Sequence, residues 1–354
     1  MKKSIITRAG ALVMAGLMTF GLAACGGGAS EGSTGSDGDV TGSTFKVGII
    51  QFVDDASLNQ IEENIEKELE AKGKELGVTF EVDLQNGQAD GTVLNQMAAQ
   101  MVSDHVDVIV PIATPAAQIV QSATEDDPIP VVFSAVSDPV GAKLAASMDK
   151  PGANITGTSD ALNTNAIMDL ICAQNPDVKY VGLLYSKSED ASTQPIKDAK
   201  AYLDKKGIKY IEKTGTKNDE VMAAADALIA EKVDAIFTPT DNTIMTAELS
   251  IYEKLAEAGI PHYCGADSFA LNGAFCGYGV DYANLGKETA DMIVEILVNG
   301  ADPATTPIRT FDNGIACVNT EVCESLGYKL DDVKAAFKPF CTEIREIKTA
   351  ENFE

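Results

Sequence analysis

The feature that most constrains the fold of this chain is a regular alternation of short apolar strands with longer amphipathic helices, which occurs twice. The first series is predicted as strand 45–51, helix 57–76, strand 78–84, helix 92–102, strand 106–113, helix 115–124 and strand 129–136. The second series has strands at 180–186, 208–213, 233–238 and 261–266, separated by helices that end at 206, 232 and 258. Such alternation is typical of parallel sheets covered by helices on both faces. We therefore predict an α/β fold with two doubly wound, Rossmann-like lobes.

Turn-rich segments at 150–160 and 277–284 separate the parts of this pattern, and a further helix and strand follow at 285–298 and 308–311. Three crossings between the lobes, forming a three-segment hinge, are therefore expected. The predicted first lobe comprises 45–156 plus 281–307, and the second comprises 157–280 plus 308–354. Ligands of open α/β sheets bind at the carboxyl ends of the strands, which here border the cleft between the lobes.

The amino-terminal segment predicts a bacterial lipoprotein export signal. Lys2, Lys3 and Arg8 form a positive start, the apolar stretch 11–22 is too short to span a bilayer, and small residues precede Cys25. We expect a signal peptide at 1–24, lipidation of Cys25, and a flexible linker within 25–44 that is rich in Gly, Ser, Thr and Asp. The mature protein would be lipid-anchored at the extracytoplasmic face of the cell membrane. The alternative, a short transmembrane anchor, is disfavoured because the chain has no apolar run of about 18 residues.

The charge of the chain restricts its partners. The formal net charge is -26, and cleavage before Cys25 would remove three basic and no acidic residues, giving -29. This excess argues against nucleic acid and anionic lipid as partners, because both recruit Lys and Arg.

Polar residues follow the predicted strands in both lobes. Hydroxyl groups beside helix N-termini can receive a carboxylate, and aspartates can receive an ammonium group. Each of Thr114, Asp138, Asp241 and Asp267 could instead be an ordinary helix N-cap. The predicted ligand-binding residues are Gln51, Phe52, Asp55, Ser57, Thr114, Pro115, Ser134, Val136, Asp160, Tyr185, Thr240, Asp241, Asn242, Asp267 and Asp281.

Aromatic residues at the strand ends favour a planar ligand. Phe52, Tyr185 and Phe269 follow the polar ends and are candidates for stacking on a ring. Phe133 and Phe237 lie inside apolar strands and are predicted to be core. An aliphatic or sugar ligand stays open as an alternative.

Catalytic patterns are weak. The two histidines, His105 and His262, have no Ser or Cys partner in a triad-like context, and His262-Tyr263-Cys264 lacks a second ligand pair at zinc spacing. The glycines at 26–28 follow no strand, so they are not a phosphate loop. We expect no enzymatic activity, no cofactor and no metal.

Besides Cys25, the chain has six cysteines, which would allow three bridges in an exported protein. Cys264 and Cys276 lie on consecutive strand-like runs and are the first predicted pair. Another pair is expected among Cys317, Cys323 and Cys341, and Cys172 is expected to be a buried thiol.

Seven segments resemble, in order and spacing, the solute-binding lipoproteins of ABC importers with the type I periplasmic-binding fold. They are VGIIQ, PIATPAAQ, VVFSAVSDPVGA, PGANITGTSD, VGLLYS, IFTPTDNTI and GVDYANLGKETADM, and the resemblance covers 45–327. The most similar branch includes tryptophan- and tyrosine-binding proteins. One departure is Asp54-Asp55-Ala56-Ser57, where that branch commonly carries a His-Pro pair.

The resemblance implies a monomeric receptor that closes on a small ligand, an aromatic amino acid, and delivers it to a membrane permease. A ligand-sensing receptor is the alternative role, and an aliphatic amino acid, sugar or nucleoside is the alternative ligand. The predicted lipoprotein signal argues against the cytoplasmic repressors that share this fold.

Overall fold

The computed structural model describes residues 40–311 and 313–350. The predicted signal peptide, Cys25 and the linker up to residue 39 lie outside the described residues. Within the described part of the chain, no helix is both long and apolar enough to cross a membrane.

Two sheets organise the molecule. The first has the spatial order β11-β5-β4-β3-β1-β2 and consists of β1 (Thr44–Gln51), β2 (Thr79–Asn86), β3 (Val108–Ile112), β4 (Val131–Phe133), β5 (Ile155–Ser159) and β11 (Arg309–Thr310). The second has the order β13-β12-β10-β9-β8-β6-β7 and consists of β6 (Tyr180–Tyr185), β7 (Lys209–Thr214), β8 (Ala235–Thr238), β9 (His262–Cys264), β10 (Cys276–Gly279), β12 (Ile315–Asn319) and β13 (Glu343–Ile347).

Helices cover these sheets. They are α1 (Ala56–Leu76), α2 (Gly91–Ser103), α3 (Thr114–Ala123), α4 (Thr164–Gln174), α5 (Asp190–Lys206), α6 (Asn218–Glu231), α7 (Asn242–Met245), α8 (Glu248–Glu257), α9 (Asp267–Leu271), α10 (Tyr282–Leu297), α11 (Thr320–Ser325) and α12 (Leu330–Phe337), with a 3₁₀ turn at Lys338–Phe340. The predicted helix 243–258 is therefore two helices, α7 and α8.

Each sheet is doubly wound. The first strand of each lobe pairs in parallel with the next two strands, β1 with β2 and β3, and β6 with β7 and β8. β3 is buried along its whole length, as expected of a strand covered on both faces. The two-lobed α/β prediction is confirmed. One edge of the second sheet is not purely parallel. There β12 runs antiparallel to β10, and β13 pairs with β12 in parallel.

The long helix α1 is held at both ends and along one face. Asp55 caps it by accepting a hydrogen bond from the Ser57 backbone N–H at 2.9 Å, and Gly77 ends it in the left-handed conformation with φ 70°. Its buried face packs on α10. There Gly286 lies so close that a Cβ would stand 2.4 Å from the Ile61 carbonyl oxygen.

The crossings between the lobes differ slightly from the predicted boundaries. β5 pairs with β4 through residues 155–157 and with β11 through residues 158–159, so all of β5 belongs to the first sheet and the first crossing follows Ser159 instead of residue 156. β11 pairs with β5, so the third crossing follows Thr310 instead of residue 307. The second crossing lies between β10 and α10, at residues 280–281, next to the predicted boundary. The run at 308–311 predicted β11, but β5 lies within 150–160, which was predicted as a turn-rich crossing, because its strand conformation depends on pairing with distant segments.

The predicted bridge between Cys264 and Cys276 is wrong. The two cysteines lie on neighbouring parallel strands, but Cys276 is in register with Tyr263 and Cys264 is in register with Gly277. A one-residue offset turns the two side chains to opposite faces of the sheet. All six described cysteines are free thiols, so the pair predicted among Cys317, Cys323 and Cys341 is absent as well.

Candidate ligand-binding site

A pocket lies between the lobes where the carboxyl ends of the strands face each other. Thirteen residues line it: Ser57, Leu58, Ala113, Thr114, Ala135, Ser137, Asp160, Ala191, Thr240, Asn242, Met245, Ala266 and Tyr282. Five of them are predicted ligand-binding residues, namely Ser57, Thr114, Asp160, Thr240 and Asn242. The pocket is small, with a volume of about 20 Å³. A larger ligand therefore enters only when the lobes separate.

Two alanines on the first-lobe wall have unusual backbone conformations. Ala113 has φ 82° and Ala135 has φ 54°, although residues with a Cβ rarely adopt positive φ. Ala113 directly follows β3, and Ala135 follows Ser134, which forms an isolated bridge just beyond β4. Local strain of this kind is concentrated at binding sites, where the surrounding structure enforces it.

The N-terminus of α3 opens at this wall. Its N-cap residue, Ala113, has no side chain able to cap the helix, and Pro115 lies in the first turn. The first N–H groups of a helix have no partner within the helix and carry a partial positive charge. An uncapped helix start beside a pocket can therefore receive an anionic group.

Two pocket hydroxyls, one from each lobe, lack a hydrogen-bond partner. Thr114 Oγ1 belongs to the first lobe and Thr240 Oγ1 to the second, and both atoms are buried. Buried polar groups are almost always paired, so an unpaired hydroxyl in a pocket wall indicates a place for a ligand atom. A ligand bonded to both hydroxyls would join the two lobes.

Asp160 supplies negative charge to the pocket. It is 3 % exposed, and its carboxylate accepts hydrogen bonds from Ser137 Oγ at 2.9 Å and from the Tyr282 hydroxyl at 3.4 Å. Burial raises the pKa of Asp160, and its hydrogen bonds oppose that rise. No basic side chain among the described residues forms an ion pair with it. A cationic ligand group would complete this site.

Asp55 and Asp267 lie beside the pocket and do not line it. Asp267, on α9 of the second lobe, accepts hydrogen bonds from two α1 side chains, Ser57 Oγ at 2.5 Å and Gln60 Nε2 at 3.1 Å. The Ser268 N–H donates in turn to Ser57 Oγ at 3.1 Å. These bonds connect the lobes directly. Burial raises the pKa of Asp55 to about 7, and Asp267 adds to that rise.

The other predicted ligand-binding residues have partners elsewhere. Asp241 caps α7 and also accepts from the Ser186 N–H and Ser192 Oγ, at 2.6 Å each, so both of its oxygens are used within the second lobe. Asp281 caps α10 and pairs with Arg345 at 2.9 Å. The remaining ones also lie outside the pocket lining: Gln51, Phe52, Pro115, Ser134, Val136 and Tyr185.

The aromatic residues predicted for ring stacking are not in the pocket wall. Tyr185 donates its hydroxyl to Glu212 at 2.6 Å, and Phe269 is fully buried against His262. Phe133 and Phe237 are fully buried core residues, which confirms that prediction. Tyr282 is the pocket's one aromatic wall residue.

The list of predicted ligand-binding residues omits eight residues of the pocket lining. They are Leu58, Ala113, Ala135, Ser137, Ala191, Met245, Ala266 and Tyr282. Two signals could have identified some of them, because Ser137 belongs to the polar end of β4 and Tyr282 directly follows the second crossing. The alanines carry no chemical signal in the sequence.

Two facing lobes with a polar pocket between them define a two-lobed binding protein, and the comparisons identify its family. A model of the "ABC transporter substrate binding protein" family matches residues 46–336, so the chain belongs to this family. Proteins of this class work outside the cytoplasm, bind small molecules and interact with an ABC permease. The expected transporter role is confirmed at this level.

Individual relatives are similar over nearly the whole body. A tyrosine-binding protein of Clostridioides difficile (strain R20291) is 33% identical over 307 residues, covering 86% of this chain and 85% of that protein. A domain from Streptococcus pneumonia, solved in complex with L-Trp, is 33% identical with a TM-score of 0.78, covering 85% of this chain and 99% of that one.

A ligand-free, open substrate binding protein with adhesive properties from Clostridium difficile is 32% identical, covering 86% of this chain and 100% of that one. Its TM-score is lower, at 0.65. At nearly equal identity, the fold described here is thus more similar to the L-Trp complex than to the open, ligand-free structure.

Proposed function

We propose that this protein binds an aromatic L-amino acid between its lobes and delivers it to an ABC permease. The observation that carries the proposal is the charge arrangement of the pocket. Asp160 is a buried carboxylate without a basic partner, and the uncapped start of α3 lies in the same pocket wall with the unpaired hydroxyl of Thr114. An α-amino acid has the complementary pair of charges.

In this arrangement Asp160 receives the ammonium group, and the α3 N-terminus with Thr114 receives the carboxylate. A hydrogen bond from the ligand to Thr240 would connect the second lobe. The ammonium and carboxylate groups of the ligand lose their hydration when they are buried. The protein groups replace that hydration with opposite charge or hydrogen bonds, which lowers the cost of burying the two ions.

The size of the wall residues favours a bulky side chain on the ligand. Four alanines line the pocket, and their short side chains leave space for a large ligand side chain when the lobes separate. Met245 and Tyr282 offer a sulfur and a ring edge, both of which pack favourably on aromatic rings. The tyrosine-binding relative and the L-Trp complex support the same ligand class.

A binding series tests the proposal. Isothermal titration calorimetry would compare L-Trp, L-Tyr and L-Phe with the corresponding amines, which lack the carboxylate, and with the deaminated acids, which lack the ammonium group. We expect at least one amino acid to bind and its two truncated analogues to lose at least tenfold in affinity. Equal binding of the deaminated acid would contradict the role of Asp160, and preference for a sugar or nucleoside would contradict the ligand class.

We also propose that residues 1–24 are a signal peptide and that lipid on Cys25 anchors the protein to the membrane. The support is the sequence alone: the basic start, the short apolar stretch and the small residues before Cys25. In cell fractionation, a Cys25→Ala variant should be folded. It should either be released from the membrane fraction or keep its signal peptide uncleaved. Normal processing and membrane retention of that variant would contradict the proposal.

A further inference from the structure

A second cluster of reactive side chains lies inside the second lobe. Glu248 begins α8, and His262 and Cys264 are the first and last residues of β9. Their potential ligand atoms all lie within 4.8 Å of one another, and the three residues are 0 %, 2 % and 0 % exposed. None of them lines the pocket between the lobes. The cluster is therefore separate from the amino-acid site.

Alternation along β9 brings two of these residues together. His262 and Cys264 are two positions apart, so they point to the same face of the sheet. Glu248 reaches that face from the helix above it, with its Oε1 3.0 Å from His262 Nδ1. The sequence motif showed only two of the three residues, because Glu248 lies fourteen positions before His262.

The hydrogen bonds of His262 define which nitrogen faces the cluster. Thr238 Oγ1 donates its proton to the Leu184 carbonyl oxygen at 2.8 Å, so toward His262 Nε2, also at 2.8 Å, it acts as an acceptor. His262 therefore carries a proton on Nε2, and Nδ1 points at Glu248. Histidines that bind metals are commonly held in this way, with one N–H donated to a supporting group and the other nitrogen toward the ion.

One atom of the cluster lacks any partner. Glu248 is completely buried, and its Oε2 accepts no hydrogen bond. An unpaired carboxylate oxygen in a protein interior is unfavourable unless a cation or a proton compensates for it.

We propose that Glu248, His262 and Cys264 form a binding site for a divalent metal ion of the zinc class. A carboxylate oxygen, an imidazole nitrogen and a thiolate sulfur are the ligand types that zinc uses, and a hard ion such as magnesium would not select the sulfur. Binding displaces one proton from the Cys264 thiol and one shared between Glu248 and His262. The dication then stands against two anionic ligands, and the net charge of the site does not change.

The test measures metal content in the full-length protein, purified in detergent and stripped with a chelator. The protein is incubated with Zn²⁺ in the folded state and, separately, refolded from urea with Zn²⁺, and free metal is removed before elemental analysis. We expect one zinc per chain. With Co²⁺ in place of Zn²⁺, a cysteine-to-cobalt charge-transfer band in the near ultraviolet should report the Cys264 sulfur.

Matched variants separate this site from other buried thiols. Cys264→Ser should abolish the charge-transfer band and lower zinc affinity at least tenfold, whereas Cys276→Ser changes an equally buried thiol on the opposite face of the sheet and should retain both. Glu248→Gln, which keeps the side-chain shape, should also weaken zinc binding, and circular dichroism would confirm that each variant folds. Asp160→Asn should leave zinc binding intact, so failure of the amino-acid site is distinguishable from failure of this one. Absence of stoichiometric zinc after both treatments, or equal binding by the Cys264 and Cys276 variants, would overturn the proposal.

Discussion

Asp160 and Asp241 are both buried aspartates, located after β5 and β8, yet their surroundings assign them different roles. The Asp160 carboxylate accepts side-chain hydrogen bonds from Ser137 and Tyr282, both of the pocket wall. Asp241 accepts two backbone N–H bonds and the Ser192 hydroxyl within its own lobe. The same residue type at the same kind of strand end can therefore serve the ligand or the fold.

This contrast makes a first prediction. Asp160→Asn removes the charge that faces the ammonium group, and a hydrogen bond to a charged group contributes about 1.5–3 kcal/mol, so affinity for the amino acid should fall about tenfold to a hundredfold. Asp241→Asn should instead lower the free energy of unfolding by about 1–3 kcal/mol, because one of its acceptor oxygens is lost, and should leave affinity unchanged. Calorimetric titration and urea unfolding of both variants would measure this. A similar loss of affinity in the two variants would contradict the assignment.

A second prediction concerns pH. The pKa of Asp55 is raised to about 7 by burial, so between its ordinary value of 3.8 and 7 the folded state binds a proton that the unfolded state does not. Stability contributed by this group is therefore largest at low pH and is lost as the pH rises toward 7. The ligand-free protein should have a higher melting temperature near pH 5.5 than near pH 7.5.

Asp55→Asn is the matched variant for this effect. Asn also caps helices well, so α1 should persist while the titrating group is gone. The melting temperature of this variant should depend less steeply on pH than that of the wild type. An identical slope in differential scanning calorimetry would show that other buried carboxylates, such as Asp160 and Asp267, account for the pH dependence.

Residue chemistry predicted five of the thirteen residues that line the pocket. Thr114, Asp160 and Thr240 were identifiable because polar residues at the ends of buried strands have few other uses. Ala113 and Ala135 were not, because their contribution is a positive φ, which the residue type does not encode. Tyr185 failed as a candidate because its ring direction depends on pairing with β7, where Glu212 accepts its hydroxyl proton.

At the scale of elements, the packing of α1 on α10 can be tested by a single substitution. Gly286→Ala would place a Cβ 2.4 Å from the Ile61 carbonyl oxygen, and overpacking of this kind costs about 1–3 kcal/mol. Gly91→Ala is the control, because Gly91 is also helical but has nothing within 4 Å of the new Cβ. We expect urea unfolding to show destabilisation in the first variant and a gain of up to about 1 kcal/mol in the second. Equal stability of the two variants would mean that α1 and α10 can separate without cost.

The elements themselves were predictable where a local pattern determines them. Apolar runs and amphipathic periods identified most of the parallel strands and long helices of both lobes, but they did not predict β5 or α4. The direction of β12 was not predictable, because a strand of five residues carries no record of whether its neighbour runs parallel or antiparallel. The one-residue offset between β9 and β10, which separates Cys264 from Cys276, was hidden for the same reason.

At the scale of the whole molecule, the lobes are joined by bonds on both sides of the pocket. The Ser57–Asp267 bond lies at α1, and Gln118 Nε2 on α3 donates to Asp190 Oδ2 on α5 at 2.7 Å. Gln118 and Asp190 do not line the pocket, so this bond can be removed without touching the ligand. The bonds across the cleft stabilise the arrangement in which the lobes are in contact.

A fourth prediction concerns closure of the two lobes on the ligand. Small-angle scattering should show a smaller radius of gyration when the cognate amino acid is added, because the ligand shifts the population toward the closed form. Gln118→Ala removes an exposed interlobe hydrogen bond that contributes about 1 kcal/mol, so ligand should dissociate up to about fivefold faster. Gln100→Ala is the control. It removes a hydrogen bond from Gln100 Nε2 to Asp104 Oδ2 at the end of α2, within the first lobe, and should leave the dissociation rate unchanged. A scattering profile insensitive to ligand, or equal dissociation from both variants, would contradict a hinge mechanism.

The three crossings also determine the order in which the molecule can be completed. The first sheet receives β11 only from residues 309–310, and α1 receives its partner α10 only from residues 282–297, after most of the second lobe has been made. A growing or translocating chain therefore presents an unfinished first lobe until nearly its whole length is available. Contacts so distant in sequence form slowly. A chain built in this way completes its first lobe only after residues 282–310 have been made.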